Sequence, residues 1–168
     1  MIHVVLYMPE IPQNTGNIMR TCSATGSILH IIGPLPFKID ADSLKRSGMD
    51  YIQNLEYFYY ENYDAFISTH PSADIYYVTR YGEKAPSMFK FDDSLHDYYL
   101  MFGRESTGIP KDILSSHLDH CMRLPMKPFA RSLNLSNCVA IVVYEVLRQL
   151  DYLDLATRDF LKGEDYLK

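Results

Sequence analysis

A chain of 168 residues is the size of one domain and can bury roughly two thirds of the surface its unfolded form exposes. Hydrophobic residues make up 47% and charged residues 22%, an ordinary balance for a domain that folds in water, and no apolar run approaches the roughly 20 residues of a membrane span. The net charge of −5 argues against a protein that coats nucleic acid through bulk positive charge, while Arg80 with Lys84, Lys45 with Arg46, and Lys127 with Arg131 leave room for a local basic face.

The start, MIHVVLYMPE, has no basic region and meets an acid early, so residues 2–8 read as a buried strand and not as a secretion signal. TGNIMRTCSATG (15–26) has helical spacing, with Thr15 near the N-cap and Gly26 at the end. SILHIIG (27–33) is the next strand. A short helix over 41–48, a strand over 54–60 and a helix over 62–70 follow. ADIYYVTR (73–80) and DYYLMFG (97–103) are strands, and Pro110 suits the first turn of a helix within RESTGIPKDILSS. HCMRLPM (120–126) is the last strand. Beyond it Leu133, Ala140, Val143, Leu147 and Leu150 fall near one face of a long helix. This order predicts a single α/β domain over 1–168, with a mainly parallel sheet covered on both faces. Three widely spaced cysteines, Cys22, Cys121 and Cys138, fit a reduced, cytoplasmic protein.

Open α/β sheets bind ligands beyond the carboxyl ends of their strands. Four loops stand there: PEIPQNTGN, RYGEKAP, GRESTGIP and KPFARSLNLSN. No segment supplies G-x-x-x-x-G-K-[ST], and the loop after the first strand has one glycine where a dinucleotide fold needs G-x-G-x-x-G. A phosphate or pyrophosphate anchor is therefore not expected, nor is a nicotinamide oxidoreductase. A ligand held by main-chain groups between apolar walls fits better. KPFARSLNLSN is rich in neutral donors and acceptors, holds no acid, and opens directly into the long helix.

PEIPQNTGNIMRTC, LMFGRESTGIP and RLPMKPFARSLNLSNCVAIVVYE, in that order, resemble the three motifs of the SPOUT class of RNA methyltransferases. The chain is most similar to the small single-domain branch, which includes 2′-O-methylation of the wobble cytidine or uridine of tRNA. The resemblance implies a deep trefoil knot at the C-terminal end, S-adenosylmethionine bound bent in the knot's loops, and a homodimer with the site completed across its interface. It implies methylation of a tRNA ribose 2′-hydroxyl, with a knotted homodimer that binds RNA or cofactor without turnover as the alternative.

By the same resemblance Asn14, Arg20, Glu105, Ser132 and Asn134 are the catalytic set. Arg20 is a general base in one account of the family; a guanidinium that stays protonated can instead hold a phosphate and stabilise a developing oxyanion. Glu105 is expected near the site, paired with an Arg of the partner chain. Gly103 and Gly108 would admit main-chain groups to the cofactor, Leu124 and Met126 would wall the adenosine, and Ser132, Val78 and Thr79 complete the cofactor set. Ser and Asn are also good helix caps, an alternative for Ser132 and Asn134. Arg131 is a candidate RNA-phosphate contact beside Arg20, and Tyr144 matches a position at the dimer interface. Arg104 stands where this motif often carries Pro. His117, His120 and Cys121 lack a fourth ligand, so no metal is expected.

Overall fold

Side-chain alternation along β1 (Ile2–Tyr7) divides the interior: Ile2, Val4 and Leu6 join one core layer and Val5 the other. With β2 (Ile28–Ile32), β3 (Tyr57–Tyr60), β4 (Asp74–Val78), β5 (Tyr98–Phe102) and β6 (Cys121–Met122) it forms a six-stranded sheet in the order β3-β2-β1-β5-β4-β6. Every pairing is parallel. The computed structural model describes residues 1–38 and 55–158, so the expected helix over 41–48, with Lys45 and Arg46, lies outside the described residues.

A parallel sheet carries its crossovers on its faces. Helices α1 (Pro12–Thr25) and α4 (Leu135–Gln149) cover one face, and α2 (Tyr63–Thr69) and α3 (Lys111–Ser115) contribute Phe66 and Leu114 to the other. Ile18, Met19 and Cys22 of α1 meet Val139, Val142, Val143 and Val146 of α4 over Val4, Leu6 and Leu100. Each such side chain contributes about 1.5–3 kcal/mol by leaving water. No helix among the described residues is long and apolar enough to cross a membrane.

Four local expectations are corrected. Helix α1 begins at Pro12, ahead of Thr15, although it ends at Gly26 in the left-handed region (φ 67°) as its sequence requires. Pro110 caps α3 from outside the helix. The buried stripe of α4 is Val139, Val142, Val143, Val146 and Leu147; Leu133 precedes the helix and is exposed, and Ala140 is only half-buried. The last strand is two residues long, because the Arg123 amide turns to the Lys84 carbonyl (2.9 Å) and Pro125 has no amide to offer a neighbour.

The second face holds a polar seam. His3 and His30 meet ring to ring at 2.9 Å, the Tyr60 hydroxyl lies 2.9 Å from His30 and 2.8 Å from His70, and Tyr99 closes on His70 at 3.3 Å. Burial, with His3 and His70 adding to it, pushes His30 down to about 3. Burial also lowers His3 and His70. A histidine that stays neutral in the fold and takes a proton when unfolded contributes its full stability above the unfolded value near 6.5. That contribution declines as the pH falls toward the folded value, by about 1.4 kcal/mol per pH unit for each such group. Urea unfolding midpoints measured between about pH 7 and about pH 5 should therefore fall with acid, and less steeply in His30→Gln.

Candidate active site

Beyond β1 the chain runs to β2 and β3 on one side, while β5, β4 and β6 lie on the other, so β1 and β5 flank a topological switch point. The loops after β1, β4, β5 and β6 gather at its carboxyl edge around a cavity of about 710 Å³, a size that suits a small-molecule ligand. Val78 and Thr79 come from the end of β4, Gly103 and Gly108 from the loop after β5, and Leu124, Met126 and Ser132 from the segment after β6. All seven residues expected to hold a cofactor line this one space, and Asn14, Glu105 and Asn134 line it with them.

Its floor is a chain of side-chain hydrogen bonds. Glu105 Oε2 accepts from the Glu10 amide at 2.8 Å, and Oε1 accepts from the Ile11 amide at 3.2 Å and from Asn14 Nδ2 at 2.9 Å. Asn14 Oδ1 accepts from Asn134 Nδ2 at 2.8 Å. Asn134 Oδ1 accepts from the Ser136 amide (2.9 Å) and hydroxyl (2.6 Å), so Asn134 is both the cap of α4 and a wall of the cavity. In return the Glu10 carboxylate accepts from the Ser106 amide (2.9 Å) and hydroxyl (2.8 Å), which hold it below the usual carboxylate range.

This arrangement explains why α1 starts where it does. Ile11 offers no side-chain cap, and Pro12 has no amide to satisfy. The Glu10 and Ile11 amides, which lead into the helix, donate to the carboxylate of Glu105, far along the chain, and its negative charge favours the positive end of the helix. Both oxygens of Glu105 accept bonds from its own chain. Glu105→Ala strands three donors and should cost about 2–4 kcal/mol, read as a lower melting temperature together with weaker cofactor binding.

The segment from Gly103 to Gly108 is closed by main-chain bonds. The Arg104 amide donates to the Gly108 carbonyl (3.2 Å) and the Gly108 amide to the Arg104 carbonyl (2.9 Å). A proline at 104 could not donate the first of these. The Arg104 amide thus helps to close the loop, and its guanidinium reaches Met8 Sδ at 2.6 Å beside the Tyr7 ring.

The SpoU rRNA Methylase family model matches residues 1–144. The chain belongs to that family. The tRNA (cytidine(34)-2'-O)-methyltransferase of Escherichia coli (strain K12) is 42% identical to this SpoU methylase over 160 residues, 95% of this chain and all of its own length. A structure solved for insight into 2-OH methylation of C/U34 on tRNA matches with a TM-score of 0.81 at 37% identity, over 89% of this chain and 95% of that one. The SpoU methyltransferase AviRb from Streptomyces viridochromogenes, solved with AdoMet, shares the fold at a TM-score of 0.71 and 23% identity, over 88% of this chain and 59% of that one.

Three expected residues of this SpoU methylase stand apart from the cavity. Arg20 is exposed on α1, Tyr144 is 48% exposed on α4, and Arg131 is exposed in the segment before α4. Four residues outside the expected site set also line the cavity: Arg80, named only for a local basic face, Arg104, named only as a departure from the motif, and Tyr81 and Arg123, which were not singled out. Their signal was position, each following the carboxyl end of a strand. Cys138 also reaches the cavity, and burial raises its thiol, as it does at Cys22 and Cys121. All three cysteines are free thiols. Among the described residues no group of three or more His, Cys, Asp or Glu is placed to hold a metal. His117 Nδ1 meets the Ile113 carbonyl at 2.8 Å, and His120 lies 3.3 Å from Asp74.

Proposed function

We propose that this chain is an S-adenosylmethionine-dependent methyltransferase acting on the ribose 2′-hydroxyl of the wobble cytidine or uridine of tRNA. The observation that carries the reading is the convergence, on one cavity of a SpoU methylase, of Asn14, Glu105, Asn134 and the whole expected cofactor set. The activity of the E. coli relative, which aligns over its full length, points to the same substrate.

The donor set suits the cofactor. Apolar Val78, Leu124 and Met126 wall a space with main-chain groups at hand, and at Gly103 a side chain would strike the backbone of Gly108, so the cavity wall there is bare backbone. Leu124 and Met126 would flank the adenosine, and Ser132 and Asn134 offer groups that both donate and accept toward methionine and ribose. When bound, the cofactor supplies a methyl already activated on a sulfonium. The protein's share is then alignment and electrostatics at the ribose oxygen. Asn14, fixed between Glu105 and Asn134, orients the ribose edge of the site. Arg20 lies outside the cavity of its own chain, and in this reading the partner subunit's Arg20 completes the site, anchoring a phosphate and stabilising the nucleophile's charge.

The reading includes a homodimer, a single domain over the whole chain, and the family's C-terminal trefoil knot. What supports the knot is that the segments after β4, β5 and β6 wall one cavity together. Three free thiols suit a reducing, cytoplasmic location. The test is transfer of label from S-adenosylmethionine to unmodified tRNA, repeated with a 2′-deoxy nucleotide at the wobble position. Label only on the ribose form is expected. No label on any tRNA, with cofactor and RNA still bound, would favour a knotted dimer that binds without turnover.

A further inference from the structure

The turn after β4 carries an exposed aromatic ring at the mouth of the cavity. Tyr81 is 71% exposed and lines the cavity beside Arg80 and Arg123. Single exposed aromatics are common and need no explanation by themselves. Here the surroundings decide. The Arg80 guanidinium carbon sits 5.6 Å from the centre of the Tyr81 ring, and Arg123 Nη1 donates to the Arg80 carbonyl at 3.1 Å. Two permanent cations and a ring therefore share one rim.

The turn is also rigid. The Tyr81 amide donates to Thr79 Oγ1 at 3.3 Å, the Thr79 amide to the Met122 carbonyl at 2.9 Å, and the Arg123 amide to the Lys84 carbonyl at 2.9 Å. Gly82 presses so closely on β6 that a Cβ there would lie 2.6 Å from the Met122 carbonyl carbon. An aromatic ring on a preorganised turn loses little entropy when it meets a ligand.

We propose that Tyr81 is a stacking platform for a nucleobase of the RNA substrate, with Arg80 and Arg123 drawing the adjoining phosphates to the rim. This rests on the tRNA methyltransferase reading and deepens it by naming the residue that seats the base. The cofactor's adenine is the rival occupant. A ligand of that size buries most of its surface, and its expected contacts, Leu124 and Met126, are half-buried and line the same cavity, whereas Tyr81 stands out into solvent. Stacking accepts any base, so Tyr81 would set affinity and position, leaving the choice between cytidine and uridine to other groups.

The experiment compares wild type, Tyr81→Ala and Tyr81→Phe for binding of unmodified tRNA and, separately, of S-adenosylhomocysteine, with melting temperatures recorded for each. Loss of the ring should weaken tRNA binding about 5- to 100-fold and leave S-adenosylhomocysteine binding unchanged, and Phe should restore the tRNA affinity. Arg80→Gln should reduce the slope of log affinity against log salt by about 1. Weaker S-adenosylhomocysteine binding in Tyr81→Ala with tRNA binding intact would assign the ring to the cofactor and overturn the proposal, as would no change in either. A fall in melting temperature with Phe failing to rescue would mark Tyr81 as structural. Failure of the wild type to bind or methylate tRNA would overturn the underlying reading, and that result appears before any variant is compared.

Discussion

Replacing Arg20 by Ala should lower the rate of methyl transfer by a factor on the order of 10³ while S-adenosylhomocysteine affinity changes less than about twofold. Arg20 is exposed on α1 and does not line the cavity of its own chain, so its loss leaves the cofactor walls untouched. A guanidinium keeps its proton, which excludes it as a base that takes the 2′-proton in any simple sense. What it supplies is a fixed positive charge, and charge aimed at a developing oxyanion acts on the rate without acting on the ground-state cofactor. Lys at this position should recover only part of the activity, since a point charge lacks the two-pronged grip. Mixing experiments locate the residue. An Arg20→Ala chain, inactive alone, should regain activity when combined with a Met126→Arg chain whose own cavity is blocked. If the proposed dimer completes the site across its interface, the open cavity of that heterodimer faces the intact Arg20 of its partner. If Arg20 instead served its own chain's cavity, the mixture would stay inactive.

The parts of the fold that obey a local period were legible in the sequence. β1, β2, β4 and β5 read as strands because buried parallel strands are nearly continuous runs of Val, Ile, Leu and aromatic residues. What failed to read were boundaries set by distant atoms. Pro12 itself suits a first helical turn, but no Ser, Thr, Asn or Asp stands just before it, and the carboxylate that fixes the entry to the helix comes from Glu105, which accepts the Glu10 and Ile11 amides. β6 looked longer because CMRLPM is apolar, but Arg123 bonds to Lys84 outside the strand and Pro125 cannot pair. The cavity was legible through the strand-end rule, which picked out all four of its loops. Within those loops Tyr81 and Arg123 match no motif, and only their position after a strand end puts them at the cavity. Arg20, Arg131 and Tyr144 lie outside the single-chain cavity, as the proposed two-chain site would require.

Gly103→Ala should be the most damaging single-methyl change in the cavity wall, and the contrast with Gly108→Ala shows why. Both glycines sit in the same loop, and both line the cavity. At Gly108 the backbone is left-handed (φ 73°) but the space around a Cβ is open, so Ala there costs only the conformational penalty, about 1–2 kcal/mol. At Gly103 the added carbon would fall on the Gly108 carbonyl carbon and the Ile109 nitrogen, and within 2.6 Å of Gly108 Cα. These are backbone atoms, so no rotamer change relieves the overlap. The Arg104–Gly108 bonds that close the loop would have to open, and with them the seat of Glu105, which holds both Asn14 and the start of α1. Overpacking of this kind costs about 3 kcal/mol or more. Gly103→Ala should therefore melt well below Gly108→Ala and bind S-adenosylhomocysteine at least about tenfold more weakly, whereas Gly108→Ala should keep most of its affinity. Equal losses in the two variants would mean that the loop tolerates the overlap by moving as a unit, and that its contact with Gly108 does not shape the cavity.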